Sequence, residues 1–296
     1  MIIKFNTPTT VERYSFRGID FLLKRDDLIS FDFSGNKARK IDYLNQNFPK
    51  DIKTIVSYGS IQSNAMYSLA KFASLKEINF RYYANHIPKL LKDNPTGNLK
   101  KALECGMQLI QGYDNIKTNS NELFIKEGVA VKEAYYGISK LADELIEQLD
   151  KKEYQIFLPS GTGTTALFLS KALKEKKADN LKVYTTACVG GGDYLKEQFK
   201  ELEENEEFYP TILESKKKYH FGKLYREFYH IWLELHKSCN IEFDLLYDPK
   251  GWITILDNKE LFSNLVYIHQ GGILGNTSML DRYKYKYGEV DEDNKK

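Results

Sequence analysis

The sequence predicts a two-domain α/β protein in which parallel-rich sheets are flanked by helices, and three observations support this. The 296 residues exceed what one compact core usually supports, so two domains are expected. Short apolar, β-branched runs recur along the chain, and segments with helical spacing lie between them. Such alternation is typical of parallel sheets, which bind ligands outside the carboxyl ends of their strands.

Six runs have the composition of strands, at 54–58, 79–84, 107–111, 155–158, 181–186 and 265–269. The clearest helical stripe runs through Ile138, Leu141, Ala142, Leu145, Ile146 and Leu149. A short helix through Leu99 should end at Gly106, because a residue without Cβ suits the left-handed position after a helix. We expect a larger domain at 1–45 and 152–296, a smaller domain at 46–151, and a frayed polar tail at 288–296.

Composition excludes several classes of protein. Hydrophobic residues make up 42% and charged residues 28%, and 43 Lys and Arg balance 41 Asp and Glu, so a nucleic-acid partner is not expected. The cysteines Cys105, Cys188 and Cys239 are too few and too far apart for a disulfide framework or a zinc site, and they suit a reducing compartment. The first ten residues do not resemble a secretory signal, and no apolar run approaches about 18 residues. We therefore expect a cytoplasmic protein without a membrane partner.

The first candidate site is the segment 34–40, which leads from a loop into a helix. Gly35 permits close backbone approach, Asn36 supplies a short polar side chain, and Lys37 lies among the positive charges of Arg39 and Lys40. Those charges should lower the pKa of Lys37 and make it a lysine able to bind an aldehyde. Taken alone, however, Gly-Asn-Lys is more typical of a surface turn.

Two further loops each join a strand to a helix. In the loop that ends at Ser63 and Asn64, either residue could simply cap the following helix. The other loop follows the run at 156–158 and is rich in small residues that suit phosphate, because backbone N–H groups, hydroxyls and a helix N-terminus all favour an anion. It comprises Gly161, Thr162, Gly163, Thr164 and Thr165. It lacks the Walker lysine spacing, so a cofactor's phosphate is the better candidate, and an ordinary turn is the alternative.

The order of six motifs resembles that in the 1-aminocyclopropane-1-carboxylate (ACC) deaminase and D-cysteine desulfhydrase family. The motifs lie at 24–28, 35–40, 62–64, 97–99, 160–165 and 269–272, so the resemblance spans roughly residues 20–275. It implies a tryptophan synthase β-like fold (PLP fold type II), a pyridoxal 5'-phosphate (PLP) cofactor and a homodimer. A nucleotide-binding Rossmann domain is not supported, because the chain lacks the Gly-x-Gly-x-x-Gly pattern followed by an acidic residue.

The resemblance also implies roles for particular residues. Lys37 would carry PLP as a Schiff base, Asn64 would contact its ring hydroxyl, and Lys40 would help the 161–165 loop to hold its phosphate. Ser63 would face the substrate as a polar or proton-transferring group. Tyr247 resembles the family's active-site tyrosine, although a half-buried tyrosine of a strand is an equal alternative among 21 tyrosines.

Three positions depart from the family's pattern. Ala65 replaces the Gln or His that usually follows Ser-Asn, so one polar substrate contact is missing. Asp248 and Gln270 replace the Glu and Leu of the deaminases and the two Thr of the desulfhydrases. A carboxylate at the pyridine nitrogen would keep that nitrogen protonated, so Asp248 favours the deaminase side.

The function expected from these residues is conversion of a small amino acid, similar to ACC or D-cysteine, into a 2-oxo acid and ammonia. One alternative is a D-cysteine desulfhydrase that releases sulfide and pyruvate. An alternative of another class is a PLP-binding protein that has lost turnover, which the departures at Ala65, Asp248 and Gln270 suggest.

Overall fold

The computed structural model describes residues 1–113 and 116–288, and its strands form two sheets. In chain order the strands are β1 (Val11–Phe16), β2 (Ile19–Lys24), β3 (Thr54–Tyr58), β4 (Asn79–Ala84), β5 (Gln108–Gln111), β6 (Glu122–Phe124), β7 (Tyr154–Ser160), β8 (Leu181–Ala187), β9 (Thr211–Ile212) and β10 (Leu265–Ile268). The larger sheet has the order β1-β2-β10-β7-β8-β9 and is parallel except for the β1–β2 pair. The smaller sheet has the parallel order β5-β4-β3-β6.

The helices cover these sheets. They are α1 (Gly35–Gln46), α2 (Asn64–Leu75), α3 (Lys89–Asp93), α4 (Gly97–Glu104), α5 (Ala134–Gln148), α6 (Thr164–Glu175), α7 (Gly192–Lys200), α8 (Arg226–Cys239), α9 (Asp248–Asp257) and α10 (Gly275–Tyr287). In the described part of the chain, no helix is long and apolar enough to cross a membrane. The expectation of a frayed tail falls mostly on residues 289–296, which lie outside the described residues.

All six predicted strands are present, with ends that differ by at most two residues. The predicted short helix is α4, and Gly106 follows it with φ of +85° and donates its N–H to the Leu103 carbonyl. The sequence reading missed the β1–β2 hairpin, although its turn residues carry a signal. Arg17 and Gly18 have φ of +47° and +77°, as a two-residue hairpin turn requires.

Each sheet has its own apolar core. Trp252 of α9 packs edge-on against Phe16 and Phe21 on one face of the larger sheet. α5 and α6 cover its other face, so α5 lies with the larger sheet even though the expected smaller domain extends to residue 151. Each sheet with its helices forms one body of the protein, and α1 contacts both. Its Ala38 and Ile41 belong to the core of the smaller sheet, and its opposite side meets α5. The expected domain limits stay a prediction, and this packing favours a limit before α5.

A network of buried charges joins β2, α1 and α5. Arg39 donates two hydrogen bonds to Asp26, at 2.6 and 2.7 Å, and two to Glu144, both at 2.9 Å. Lys24 donates to the same Glu144 carboxylate at 2.6 Å and is fully buried. Breaking a buried pair by removing one partner leaves uncompensated charge, which makes Glu144 the centre of this junction.

We expect Glu144→Ala to lower the free energy of unfolding by about 3 to 5 kcal/mol, because Lys24 and Arg39 would stay buried without their shared carboxylate. Urea denaturation at neutral pH measures the change. The control is Glu147→Ala, an exposed position on the same helix, which should change stability by less than about 0.5 kcal/mol. Equal losses in the two variants would show that the network contributes nothing specific.

Candidate active site

A cavity of about 1140 Å³ opens at the carboxyl ends of β3, β7 and β10, between the two sheets. All of the predicted site residues line it: Lys37, Lys40, Ser63, Asn64, Gly161, Thr162, Gly163, Thr164, Thr165, Tyr247, Asp248 and Gln270. Motifs that are far apart in sequence thus meet in one cleft, where parallel sheets place ligands. The roles assigned to these residues remain predictions.

Lys37 is the third residue of α1. Gly35 begins this helix with its Cα against the backbone of Asp26, and a Cβ there would lie only 2.0 Å from the Asp26 carbonyl oxygen. The Lys37 ammonium donates to Asn36 Oδ1 at 3.0 Å. Burial lowers the pKa of Lys37 to about 8, and the Asp244 carboxylate opposes this shift.

The pKa of Lys37 is lowered as expected, but the expected cause was wrong in part. Arg39 turns away from the cleft into the buried network with Asp26 and Glu144, so desolvation lowers the pKa instead. Lys40 does face the cleft and donates to the Gly128 carbonyl at 3.0 Å. Burial and then the charge of Lys37 lower the pKa of Lys40, so the cleft holds two desolvated amines.

Ser63 caps α2, as the simpler reading of that loop predicted. Its Oγ accepts hydrogen bonds from the N–H groups of Ala65 at 3.1 Å and Met66 at 3.4 Å. The hydroxyl proton is not used by the cap, so the same side chain can donate either to the Tyr82 phenol, which it reaches, or into the cavity. Ala65 is only 4% exposed and packs in the core of the smaller sheet.

Asn64 connects the two bodies across the cleft. Asn98 of α4 donates from Nδ2 to Asn64 Oδ1 at 2.7 Å and to the Gln62 carbonyl at 3.0 Å. Because Asn64 Oδ1 accepts, its amide nitrogen points the other way, and the side chain donates to Asp244. This series of hydrogen bonds fixes the Asn64 amide beside Lys37 and gives Asn98 a positioning role that the sequence reading did not assign.

The loop at 161–165 combines a helix N-terminus with hydroxyl side chains. Gly163 caps α6 with φ of +71°, and a Cβ there would lie 2.3 Å from a ring carbon of Phe199. Thr162 Oγ1 and Thr164 Oγ1 lie 3.1 Å apart. Thr165 Oγ1 is buried without a hydrogen-bond partner, which is costly for a hydroxyl. An unpaired hydroxyl at a helix N-terminus, near the Lys40 amine, fits the phosphate of PLP.

A second acidic residue, Asp244, lies in the cavity beside Asp248. Asp244 Oδ1 accepts from the N–H groups of Leu246 at 2.7 Å and Tyr247 at 2.8 Å. Both oxygens of Asp248 are also engaged, one by Tyr267 Oη at 2.6 Å and one by the Asp244 N–H at 2.8 Å. Burial and the neighbouring Asp248 charge raise the pKa of Asp244 to about 7. The sequence reading missed Asp244, although an Asp four residues before Asp248 was visible.

Tyr247 and Gln270 also line the cavity. The Tyr247 ring lies 5.4 Å from that of Phe221, and burial raises the pKa of its phenol, so the hydroxyl is protonated at neutral pH and can donate. Gln270 uses both ends of its amide, donating to the Pro159 carbonyl at 2.7 Å and accepting from Asn36 at 2.9 Å. Gln270 therefore connects the first turn of α1, which carries Lys37, to the end of β7.

Comparison with known proteins gives one consistent answer. No protein-family model matches the chain. A putative ACC deaminase of Thermotoga maritima is 25% identical over an alignment that covers 89% of this chain and 91% of that protein. The bifunctional D-cysteine desulfhydrase/ACC deaminase of Arabidopsis thaliana is 26% identical over an alignment that covers 55% of this chain and only 48% of the plant protein.

The crystal structure of an ACC deaminase homologue superposes with a TM-score of 0.76, at 21% identity, over 93% of this chain and 92% of that one. The resemblance to the ACC deaminase and D-cysteine desulfhydrase family is confirmed. The tryptophan synthase β-like fold that this resemblance implies, PLP fold type II, is confirmed as well. Within this fold, the ACC deaminase-like motifs at 35–40, 62–64 and 160–165 all meet at the cavity.

In the PLP-free chain, we expect Lys37 to react with a limiting amount of trinitrobenzenesulfonate with a rate midpoint near pH 8. Only the neutral amine is a nucleophile, and burial lowers the pKa of Lys37 to about 8, so its neutral form appears at lower pH than that of ordinary lysines near 10.4. Peptide mapping across pH 6–11 measures the rate at each lysine. Exposed Lys151 is the control. A Lys37 midpoint equal to that of Lys151 would contradict the desolvated site.

Proposed function

We propose that this chain is a PLP-dependent enzyme that converts a small amino acid into a 2-oxo acid and ammonia. The relatives named as deaminases and as a desulfhydrase support an enzyme of the deaminase or lyase kind. The resemblance further leads us to propose a cytoplasmic homodimer that acts on a small-molecule substrate. The D-cysteine desulfhydrase activity stays the alternative within the same chemistry.

One observation carries the proposal. The buried Lys37 and the 161–165 loop, in which the Thr165 hydroxyl has no hydrogen-bond partner, line the same cavity. The pKa of Lys37 is lowered to about 8, so a substantial neutral fraction of its amine is available to attack an aldehyde near neutral pH. Thr165 Oγ1 and the N-terminus of α6 supply donors for a phosphate at the other end. A ligand with both an aldehyde and a phosphate satisfies both ends, and PLP is such a ligand.

PLP, when bound, supplies an electron sink for the bonds at the substrate's α-carbon. Lys37 would hold the cofactor and, once displaced by the substrate amine, its own neutral amine would take a proton from the α-carbon of a D-cysteine-like substrate. ACC has no proton on its α-carbon, so its ring would open by attack or proton transfer at a methylene carbon, with Tyr247 or Ser63 as the candidate groups. Asn64 would hold the ring hydroxyl, because Asn98 and Asp244 fix its amide. Tyr247 and Ser63 keep hydroxyl protons that they can donate to a leaving group or a substrate carboxylate.

Asp248 is the residue on which the choice between functions depends. Its two oxygens already accept hydrogen bonds from the Tyr267 hydroxyl and from the Asp244 backbone N–H. If these contacts leave no oxygen for the ring nitrogen of the cofactor, the alternative of a PLP-binding protein without turnover is favoured. A carboxylate oxygen can accept more than one hydrogen bond, so the deaminase role and these contacts are compatible. The experiments below separate the two.

We expect the purified protein to be yellow and Lys37→Ala to lose the visible absorption band while it remains folded. The reason is that the covalent attachment of the cofactor needs the Lys37 amine. Borohydride reduction followed by peptide mapping measures the attachment site, and Lys151→Ala serves as the control because Lys151 is exposed. A cofactor adduct on any lysine other than Lys37 would refute the assignment.

We expect Asp248→Asn to reduce turnover of ACC or D-cysteine by about ten- to a hundredfold without loss of cofactor. A charge-assisted hydrogen bond is worth about 1.5 to 3 kcal/mol, and each 1.36 kcal/mol changes a rate about tenfold. The matched variant is Tyr267→Phe, which removes one structural contact of Asp248 but keeps its charge. If the two variants lose the same activity and stability, Asp248 is only a structural acceptor.

A further inference from the structure

A carboxylate that the proposed mechanism does not use lies in the same cavity. Glu127 follows β6 in a short turn and lines the cleft. Its side chain passes over Gly59 at the end of β3, where a Cβ would lie 2.5 Å from Glu127 Oε1 and 2.7 Å from the Tyr82 hydroxyl. Because Gly59 has no side chain, the carboxylate can sit against the loop that leads to Ser63.

Glu127 has little inside the protein to satisfy its charge. The backbone N–H of Ser60 donates to it, and no Lys or Arg of residues 1–113 or 116–288 forms an ion pair with it. An ionised carboxylate can accept about four hydrogen bonds, and burying one without a counter-ion is costly. Burial accordingly raises the pKa of Glu127. A group of this kind is stabilised by a ligand that brings a positive charge.

The neighbours of Glu127 are tyrosines. Burial first, and then the Glu127 charge, raise the pKa of Tyr113 and Tyr194, which line the cavity. The same charge also adds to the raised pKa of Tyr247, behind the effects of burial, Asp244 and Cys188. Glu127 lies beside Ser60, and Tyr247 lines the same cavity near Gly161. Tyrosine rings attract cations through their faces, and a carboxylate among them favours an ammonium group over a neutral or anionic one.

We propose that Glu127 is a specificity-determining residue that selects amino acids with a cationic β-substituent. This inference rests on the proposed function, because it concerns the side chain of that function's substrate. The simplest such amino acid is 2,3-diaminopropionate. Its α C–H bond and its Cβ–N bond would break, the α-proton would pass to the base, and the β-nitrogen would leave as ammonia. Water would then replace the α-nitrogen, so that one substrate and one water give pyruvate and two ammonia with no net oxidation.

The experiment compares a cationic with a neutral β-substituent. The holoenzyme is assayed for pyruvate with both enantiomers of 2,3-diaminopropionate and of β-chloroalanine, and kcat and KM are measured separately. The variants are Glu127→Gln and, as control, Asp281→Asn, an exposed acid at the mouth of the same cavity. In Glu127→Gln we expect the ratio of kcat/KM for the cationic over the neutral substrate to fall about ten- to a hundredfold, mainly through KM. In Asp281→Asn the ratio should change less than about twofold.

A binding measurement separates this inference from the proposed function. In the Lys37→Ala background, calorimetry gives the dissociation constants of the two amino acids without turnover, and the same loss of preference is expected when Glu127→Gln is added. If Glu127→Gln weakens the binding of both amino acids equally, Glu127 is a structural residue and the inference is overturned. Turnover of β-chloroalanine by wild type, with a KM for 2,3-diaminopropionate no lower than that for β-chloroalanine, would overturn it as well and would leave the proposed function intact. If neither substrate turns over but binding prefers the cation, the proposed function fails and the subsite stands.

Discussion

The cleft depends on the way the buried charges of Arg39, Asp26 and Glu144 hold α1. Arg39 points away from the cleft into this network, whereas Lys37 and Lys40, three residues apart, lie on the face that meets the cavity. Lys24 completes the charge balance from β2. The motif residues at 24–28 and 35–40 therefore serve two purposes, since some hold the helix and others present amines to a ligand. The second purpose depends on the first, because an unfixed helix would not keep two amines desolvated.

Desolvation sets the chemistry of the site more than the local sequence does. Lys37 lies next to positive residues in the chain, yet burial is the main cause of its lowered pKa and the carboxylate of Asp244 partly restores it. The same burial keeps the phenol of Tyr247 protonated and raises the pKa of Asp244 to about 7. The cavity thus combines neutral donors, a titratable acid and an amine near its titration range, which is the set that proton transfer at neutral pH requires.

The two bodies of the protein meet through polar contacts at the cleft. Asn64 links Asn98 of the smaller body to Asp244 of the larger one, and Lys40 reaches the Gly128 carbonyl from α1. Polar contacts of this type are sensitive to a ligand that shares their donors. A cofactor held by Lys37, Asn64 and the 161–165 loop would therefore strengthen the connection that these hydrogen bonds already make.

The sequence by itself determined six of the ten strands in the described part of the chain, the alternation with helices and the motifs that line the cleft, because these follow from local periodicity and from residue types at strand ends. It did not find the β1–β2 hairpin, whose half-buried strands lack a strong pattern. It missed Asp244 and Glu127 and gave Asn98 no role within the 97–99 motif, because their contacts with Asn64 and Gly59 form only in the folded chain. Tertiary structure alone decided which charges are buried and which face the cavity, since desolvation depends on the surrounding chain and not on neighbours in sequence.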